Sequence, residues 1–200
     1  MKQFWIFGYG SLMWRPGFAF RRSGPALIHG YHRRLCVYSH VHRGTPERPG
    51  LVLGLDRGGS CHGVAFEIEA SAWDETLGHL REREQVTNVY VEKHTAIQLL
   101  PLRETVGAVT YIVDRHHPQY AGTLTPQQLR HHVRQGQGIS GDCTDYVLNT
   151  RDHLRSMNIH DAALEALGLE LEAQAATMTE QPSLATSDAS PATSTRPRNA

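Results

Sequence analysis

Cysteine is scarce in this chain, and long hydrophobic runs are missing. Cys36, Cys61 and Cys143 are an odd set among 200 residues with no C-x-x-C spacing. They suggest neither a disulfide framework nor a zinc site. No apolar run approaches the roughly 18 residues that cross a bilayer, and no signal-peptide pattern precedes FWIF at residues 4–7, so the expected location is the cytoplasm, with no membrane partner. G-x-x-x-x-G-K-[ST] and G-x-G-x-x-G are both absent, which disfavours a phosphate-binding loop, and no internal repeat is visible. Neither charge is in excess overall, with 20 Lys and Arg against 20 Asp and Glu. The balance is uneven along the chain, however: residues 1–60 hold nine Lys and Arg against two acids, a bias that suits an anionic ligand or nucleic acid.

The apolar pattern supports one α+β domain, strands early and helices late. FWIF reads as a buried strand. In AFEIEA (65–70) and the residue before it, alternation puts Val64, Phe66 and Ile68 on one face, and GAVTYIVD (107–114) is a third strand candidate. Ser71 with Asp74 resembles a capping box, Thr125-Pro126 starts a helix, and DYVLNTRDHLRSM (145–157) is amphipathic. From residue 173 the chain is rich in Ala, Ser, Thr and Pro, with almost no large apolar side chains. The expected organisation is therefore one folded domain over 1–172 and a disordered tail over 173–200.

Two stretches carry possible chemistry. In SAWDETLGHLREREQ (71–85), at about 100° per residue from Trp73, Leu77 falls at about 40°, Leu80 at about −20° and Glu84 at about 20°, whereas Glu82 and Glu75 fall at about 180° and 200°. Glu84 thus lies on the apolar stripe. Desolvation there would raise its pKa from the roughly 4.3 of a free glutamate, as a general base requires. The bland reading is a helix-end glutamate paired with Arg81 or Arg83, and periodicity alone does not choose between them. The other stretch, G-Y-G-S at 8–11, is either a tight turn packed by Tyr9 or an amide-lined pocket for a carboxylate or oxyanion, with Ser11 adding a hydroxyl.

Taken together, FGYGSLMW (7–14), HRGTPERPGLVLGL (42–55), REREQVTNVY (81–90) and DYVLNTRDHL (145–154) resemble the ChaC-type, glutathione-specific gamma-glutamylcyclotransferases, over roughly residues 3–168. The resemblance implies a small mixed barrel-like β-sheet with surrounding helices. It implies cyclisation of the gamma-glutamyl group of glutathione to 5-oxoproline with release of Cys-Gly, and no cofactor or metal. Carried over residue by residue, it makes Glu84 the catalytic proton acceptor. Ile6, Phe7, Gly8, Tyr9, Gly10, Ser11 and Leu12 become the substrate-binding segment, with Tyr146 a further substrate contact. The family often has glycine where Asn88 stands, and Asn tolerates the positive φ such a turn needs.

Other readings stand beside this one. His116-His117 and His131-His132 suggest metal chemistry, but adjacent histidines diverge and no H-E-x-x-H is present. Cys61 beside His62 suggests a thiol nucleophile, though neighbours in a strand point apart. Arg21, Arg22, Arg33 and Arg34 would be the phosphate contacts of a nucleic-acid-binding module, yet they lack interleaved stacking aromatics. A gamma-glutamyl-binding protein without turnover, or a cyclotransferase of broader specificity, shares every motif named here.

Overall fold

The computed structural model of the protein describes residues 3–84 and 87–179. Five strands, β1 (Phe4–Gly8), β2 (Arg22–Ser39), β3 (Gly50–Ile68), β4 (Tyr90–Leu99) and β5 (Glu104–Val113), close into a barrel in the order β1-β3-β2-β4-β5. The closing pair, β1 with β5, is parallel, and the other pairs are antiparallel. A further two-residue hairpin joins β6 (Gln137–Gly138) and β7 (Gly141–Asp142). The helices are α1 (Trp73–Glu84), α2 (Pro126–Gln135), α3 (Cys143–Ser156) and α4 (Ala162–Thr179). None of the described helices is long and apolar enough to cross a membrane.

FWIF is apolar throughout because both of its faces are covered. Trp5 and Phe7 enter a core shared with Ile28, Leu53, Val147 and Leu167, while Ile6 enters another with Phe66, Ile68, Leu77 and Leu80 under α1. Val64, Phe66 and Ile68 share this second cluster, as their alternation predicts. Thr125 makes the expected helix start, its hydroxyl accepting from the Gln128 amide in a full capping box with Pro126 in the first turn.

Two expectations change. Ser71 lies inside a short 3₁₀ turn, Ala70–Ala72, that runs into α1, and the capping box read from Ser71 and Asp74 is absent among the described hydrogen bonds. α4 continues to Thr179, past the domain boundary expected at residue 172, and its buried Leu164, Leu167 and Leu171 lie on one face. The rest of the expected tail, 180–200, lies outside the described residues. β2 and β4 are not among the strands read from the sequence, because they carry no alternating apolar signal. Arg33, Arg34 and the bulges at His29/Tyr31 and Leu35/Val37 interrupt the pattern of β2, and β4 buries only Ile97, held by its ten-residue pairing with β5.

Candidate active site

The outer edge of β3 explains where the site forms. Between Leu51 and Leu55 its outward backbone groups are met by side chains instead of a strand, because an unmet buried polar group is costly. The Leu51 amide donates to Cys143 Sγ, whose thiol donates back to the Leu51 carbonyl. The Leu53 amide donates to the Tyr146 hydroxyl at 3.2 Å, and the Tyr90 hydroxyl donates to the Leu53 carbonyl at 2.7 Å. Tyr9 is hydrogen-bonded to the Leu55 backbone. Three tyrosines from β1's turn, β4 and α3 are thereby gathered on five residues of β3. Because Tyr146 accepts from Leu53, its own proton is free to donate.

Glu84 reaches the same place from the last turn of α1. Thr76, Leu77 and Leu80 bury the inner face of that helix, Glu75 and Glu82 are exposed, and the Glu84 side chain keeps 18% of its surface. Burial raises its pKa above the ordinary carboxylate value, and the neighbouring Arg83 guanidinium, 3.3 Å away, pulls the other way without cancelling it. Both sequence readings are therefore partly met: Glu84 is ion-paired with Arg83 and also desolvated. Arg81 is engaged elsewhere, clasping Glu92 through Nε and Nη2. The negative charge of Glu84 acts on Tyr9, Tyr90 and Tyr146, whose hydroxyls burial has already pushed up, that of Tyr146 to about 12.

Arg83 also ties this glutamate to the opening turn. Its Nη2 donates to Ser11 Oγ at 3.0 Å and its Nη1 to the carbonyls of Arg15 and Pro16. Ser11, serving Arg83 as acceptor, retains a proton to donate. The turn winds into a 3₁₀ segment, Ser11–Met13, and among the described residues no acceptor meets the amides of Gly10, Ser11 and Leu12. Arg33 orients the turn from behind, donating through Nε to the Tyr9 carbonyl while its Nη2 holds His62 O and its Nη1 faces Asp161, which in turn caps the start of α4. With that carbonyl directed at Arg33, the planar trans peptide turns the Gly10 N–H the opposite way.

The two glycines of the turn do different work. A Cβ on Gly8 would stand 3.0 Å from Leu12 Cβ, so Gly8 is required by packing. One on Gly10 would meet only Leu53 Cδ1, at 3.9 Å. A Cβ at Gly10 therefore meets no clash, and Gly10→Ala is expected to remain folded, with a fall in melting temperature of no more than about 4 °C. It should nevertheless lower kcat/KM by at least about tenfold, because the methyl fills the space beside the free amides. Steady-state kinetics beside thermal unfolding check this, and a fully active variant would show that the turn does not hold the substrate.

Of the segment expected to bind substrate, Ile6, Phe7 and Leu12 have their side chains in the core, Gly8 is a packing glycine, Tyr9 and Tyr146 feel the charge of Glu84, Ser11 is tied to Arg83, and Gly10 lies beside Leu53. Tyr90, the last residue of REREQVTNVY, belongs to the same cluster and no spacing in the sequence singles it out; Gln85 and Val86 of that stretch lie outside the described residues. Asn88 does take a positive φ, 57°. Arg21, Arg22, Arg33 and Arg34 are each paired with a carboxylate, Glu69, Glu67, Asp161 and Asp56. Cys36, Cys61 and Cys143 are buried free thiols, and burial raises the pKa of Cys61. Two cavities, of about 340 and 190 Å³, lie by Trp5 and Trp73 and by Arg34 and Leu167, and neither is lined by Glu84.

This barrel is the gamma-glutamyl cyclotransferase fold: a crystal structure of the yeast gamma-glutamyl cyclotransferase specific to glutathione superposes with a TM-score of 0.77, at 23% identity, covering 86% of this chain and 97% of that one. The family model of ChaC-like proteins matches residues 4–174, and the chain belongs to that family. Its relatives include the glutathione-specific gamma-glutamylcyclotransferase of Escherichia coli, 32% identical over 163 residues (82% of this chain, 70% of that protein). The glutathione-specific gamma-glutamylcyclotransferase 1 of Danio rerio is 35% identical over 156 residues, 76% of this chain and 79% of that one.

Proposed function

We propose that this protein is a glutathione-specific gamma-glutamylcyclotransferase in which Glu84 is the general base and acid. The observation that carries the reading is the placement of Glu84, a desolvated carboxylate of raised pKa linked through Arg83 to a turn with free amides. The relatives named for this activity support the choice of substrate.

In glutathione the glutamyl alpha-amine can close onto its own gamma-carbonyl. With a pKa of roughly 8 it is mostly ammonium at neutral pH and cannot attack. Ionised Glu84 takes that proton. The amine nitrogen then bonds to the gamma-carbon and sheds a second proton as the gamma-carbon to cysteine-nitrogen bond breaks; the leaving nitrogen takes up both protons, the first of them from Glu84, and departs as the ammonium of Cys-Gly. The products are 5-oxoproline and Cys-Gly, and no water is consumed. The amides of the Gly10–Leu12 turn and the hydroxyls of Ser11 and Tyr146 supply donors for the glutamyl carboxylate or the oxyanion, and holding the curled substrate raises the effective concentration of the amine. No step calls on a metal or cofactor, and three unpaired thiols suit a reducing compartment such as the cytoplasm.

Incubation of the purified chain with reduced glutathione tests the reading, with equimolar release of 5-oxoproline and Cys-Gly as the expected result. The kcat/KM for glutathione is expected to exceed that for gamma-glutamyl-alanine or gamma-glutamyl-lysine by about ten- to hundredfold, the worth of one charge-assisted hydrogen bond to the distal half. Equal values would assign a broader cyclotransferase, and ligand retention without product a binding protein.

A further inference from the structure

Selectivity for a tripeptide needs a group that reads the end remote from the scissile bond. Four of the eight arginines in residues 1–60, Arg21, Arg22, Arg33 and Arg34, are committed to carboxylates of the protein itself. Arg43 is not. Its Nη1 donates to the Asp142 carbonyl at 3.1 Å and its guanidinium lies 5.3 Å from the centre of the Tyr146 ring, while among the described residues nothing meets Nε or Nη2.

The main chain beneath it is held in place. The Arg43 amide donates to Ser39 Oγ, and the flanking carbonyls of Val41 and His42 accept from Ile139 and Ser140 at the tip of the β6–β7 hairpin. The Arg43 carbonyl is packed so closely on Gly50 and Gly136 that a Cβ on either would come within 2.0 and 2.4 Å of it. A side chain fixed at its root, stacked on an aromatic ring and holding unused donors is arranged to receive an anion. It also lies on the correct side. The guanidinium lies against the Tyr146 ring, and Tyr146 feels both charges, Glu84 raising its pKa and Arg43 lowering it, so both groups border the same tyrosine.

We infer that Arg43 is the specificity-determining residue of this site and binds the terminal carboxylate of the substrate's glycine. The inference rests on the glutathione reading above. Two extended residues beyond the scissile amide reach at most roughly 7 Å, the scale of the step across one tyrosine ring. The glutamyl unit lies at the Gly10 turn, the Cys-Gly half runs over Tyr146, and the free edge of the guanidinium closes on the glycine carboxylate. A gamma-glutamyl amine has no carboxylate at that distance and gains nothing from Arg43.

The test compares reduced glutathione with its glycinamide, identical except for the distal charge, in the wild-type chain and in Arg43→Met, which keeps the apolar stem over Tyr146. The wild type is expected to favour the acid in kcat/KM by about ten- to hundredfold. In Arg43→Met the ratio should fall to near unity, with the glycinamide turned over within about threefold of wild type, a pattern that loss of structure alone does not produce. A ratio unchanged by Arg43→Met overturns the inference. If that variant does not fold, Arg43→Lys carries the same comparison: an ammonium retains a charge but not the fork, so the preference falls partway, and an undiminished preference again overturns it. Calorimetric binding of the acid and the amide to Glu84→Gln, with and without Arg43→Met, gives the same ratio without turnover. Absence of 5-oxoproline from the wild type would therefore count against the proposed activity, while the binding ratio still decides the role of Arg43.

Discussion

Glu84→Gln is expected to lower kcat by about 10²- to 10⁴-fold while leaving the fold intact, since the amide matches the carboxylate in size but takes up no proton. The same substitution should stabilise the protein. Burial raises the folded-state pKa of Glu84 above its unfolded value, so ionising it costs folding free energy. Below the unfolded pKa of roughly 4.3 the carboxyl is protonated in both states and the cost is absent. It develops as pH rises through the folded-state pKa and is complete above it. Glutamine escapes the cost, so the melting temperature of the variant should exceed that of the wild type by a margin that widens from acid to neutral pH. Glu82→Gln, on the exposed face of α1, is the control and should change neither rate nor stability. Near-normal turnover of Glu84→Gln would eliminate this glutamate as the base.

Asp56→Ala is expected to do the reverse, destabilising the fold by about 3 kcal/mol, or roughly 6–12 °C in melting temperature. Asp56 is fully buried in β3. Its carboxylate accepts from Arg115 Nε at 2.6 Å, the Tyr120 hydroxyl and the Arg57 amide at 2.8 Å, and Arg34 Nη1 at 3.3 Å. Burial alone would push its pKa up, but these hydrogen bonds outweigh it and hold the carboxyl below the ordinary value. With a depressed folded-state pKa, the stabilisation is present above the unfolded pKa of roughly 3.9 and is lost as pH falls through the folded-state pKa. Wild type and variant should therefore converge in acid. Asp56 makes no contact with Glu84 or the opening turn among the described hydrogen bonds, so kcat/KM well below the melting temperature should be nearly unchanged. A melting temperature within 2 °C of wild type, on the scale of about 2–4 °C per kcal/mol, would mean that the buried cluster contributes little net stability.

The two residues differ in how far the sequence discloses them. Glu84 stands out because its position on the stripe of Trp73, Leu77 and Leu80 follows from the helical repeat, and four ordered motifs add their weight. Asp56 gives no such signal. It is one acid in a run of leucines and glycines, and its partners Arg115 and Tyr120 lie 59 and 64 residues further on. Tyr90 and Arg43 are similar cases: each sits inside a motif, but the hydroxyl of one and the guanidinium of the other are given purpose only by Leu53 and Tyr146, on other elements.

What the sequence by itself determined is what repeats locally along the chain: the buried strand FWIF, the face shared by Val64, Phe66 and Ile68, the cap at Thr125, the amphipathic segment 145–157 and the inward face of α1. What only the tertiary structure decided is what depends on groups distant in sequence meeting across the barrel. Between Leu51 and Leu55, β3 pairs with β2 on one edge and has no described strand on the other, and satisfying that outer edge draws Tyr9, Tyr90, Cys143 and Tyr146 to one place. Barrel closure likewise brings α1 against the opening turn, where Arg83 binds Ser11 and Glu84 loses much of its water. The physical reason is one of range: side-chain periodicity is set by the geometry of neighbouring residues, whereas backbone satisfaction, charge pairing and desolvation are set by whichever surfaces the whole chain brings together.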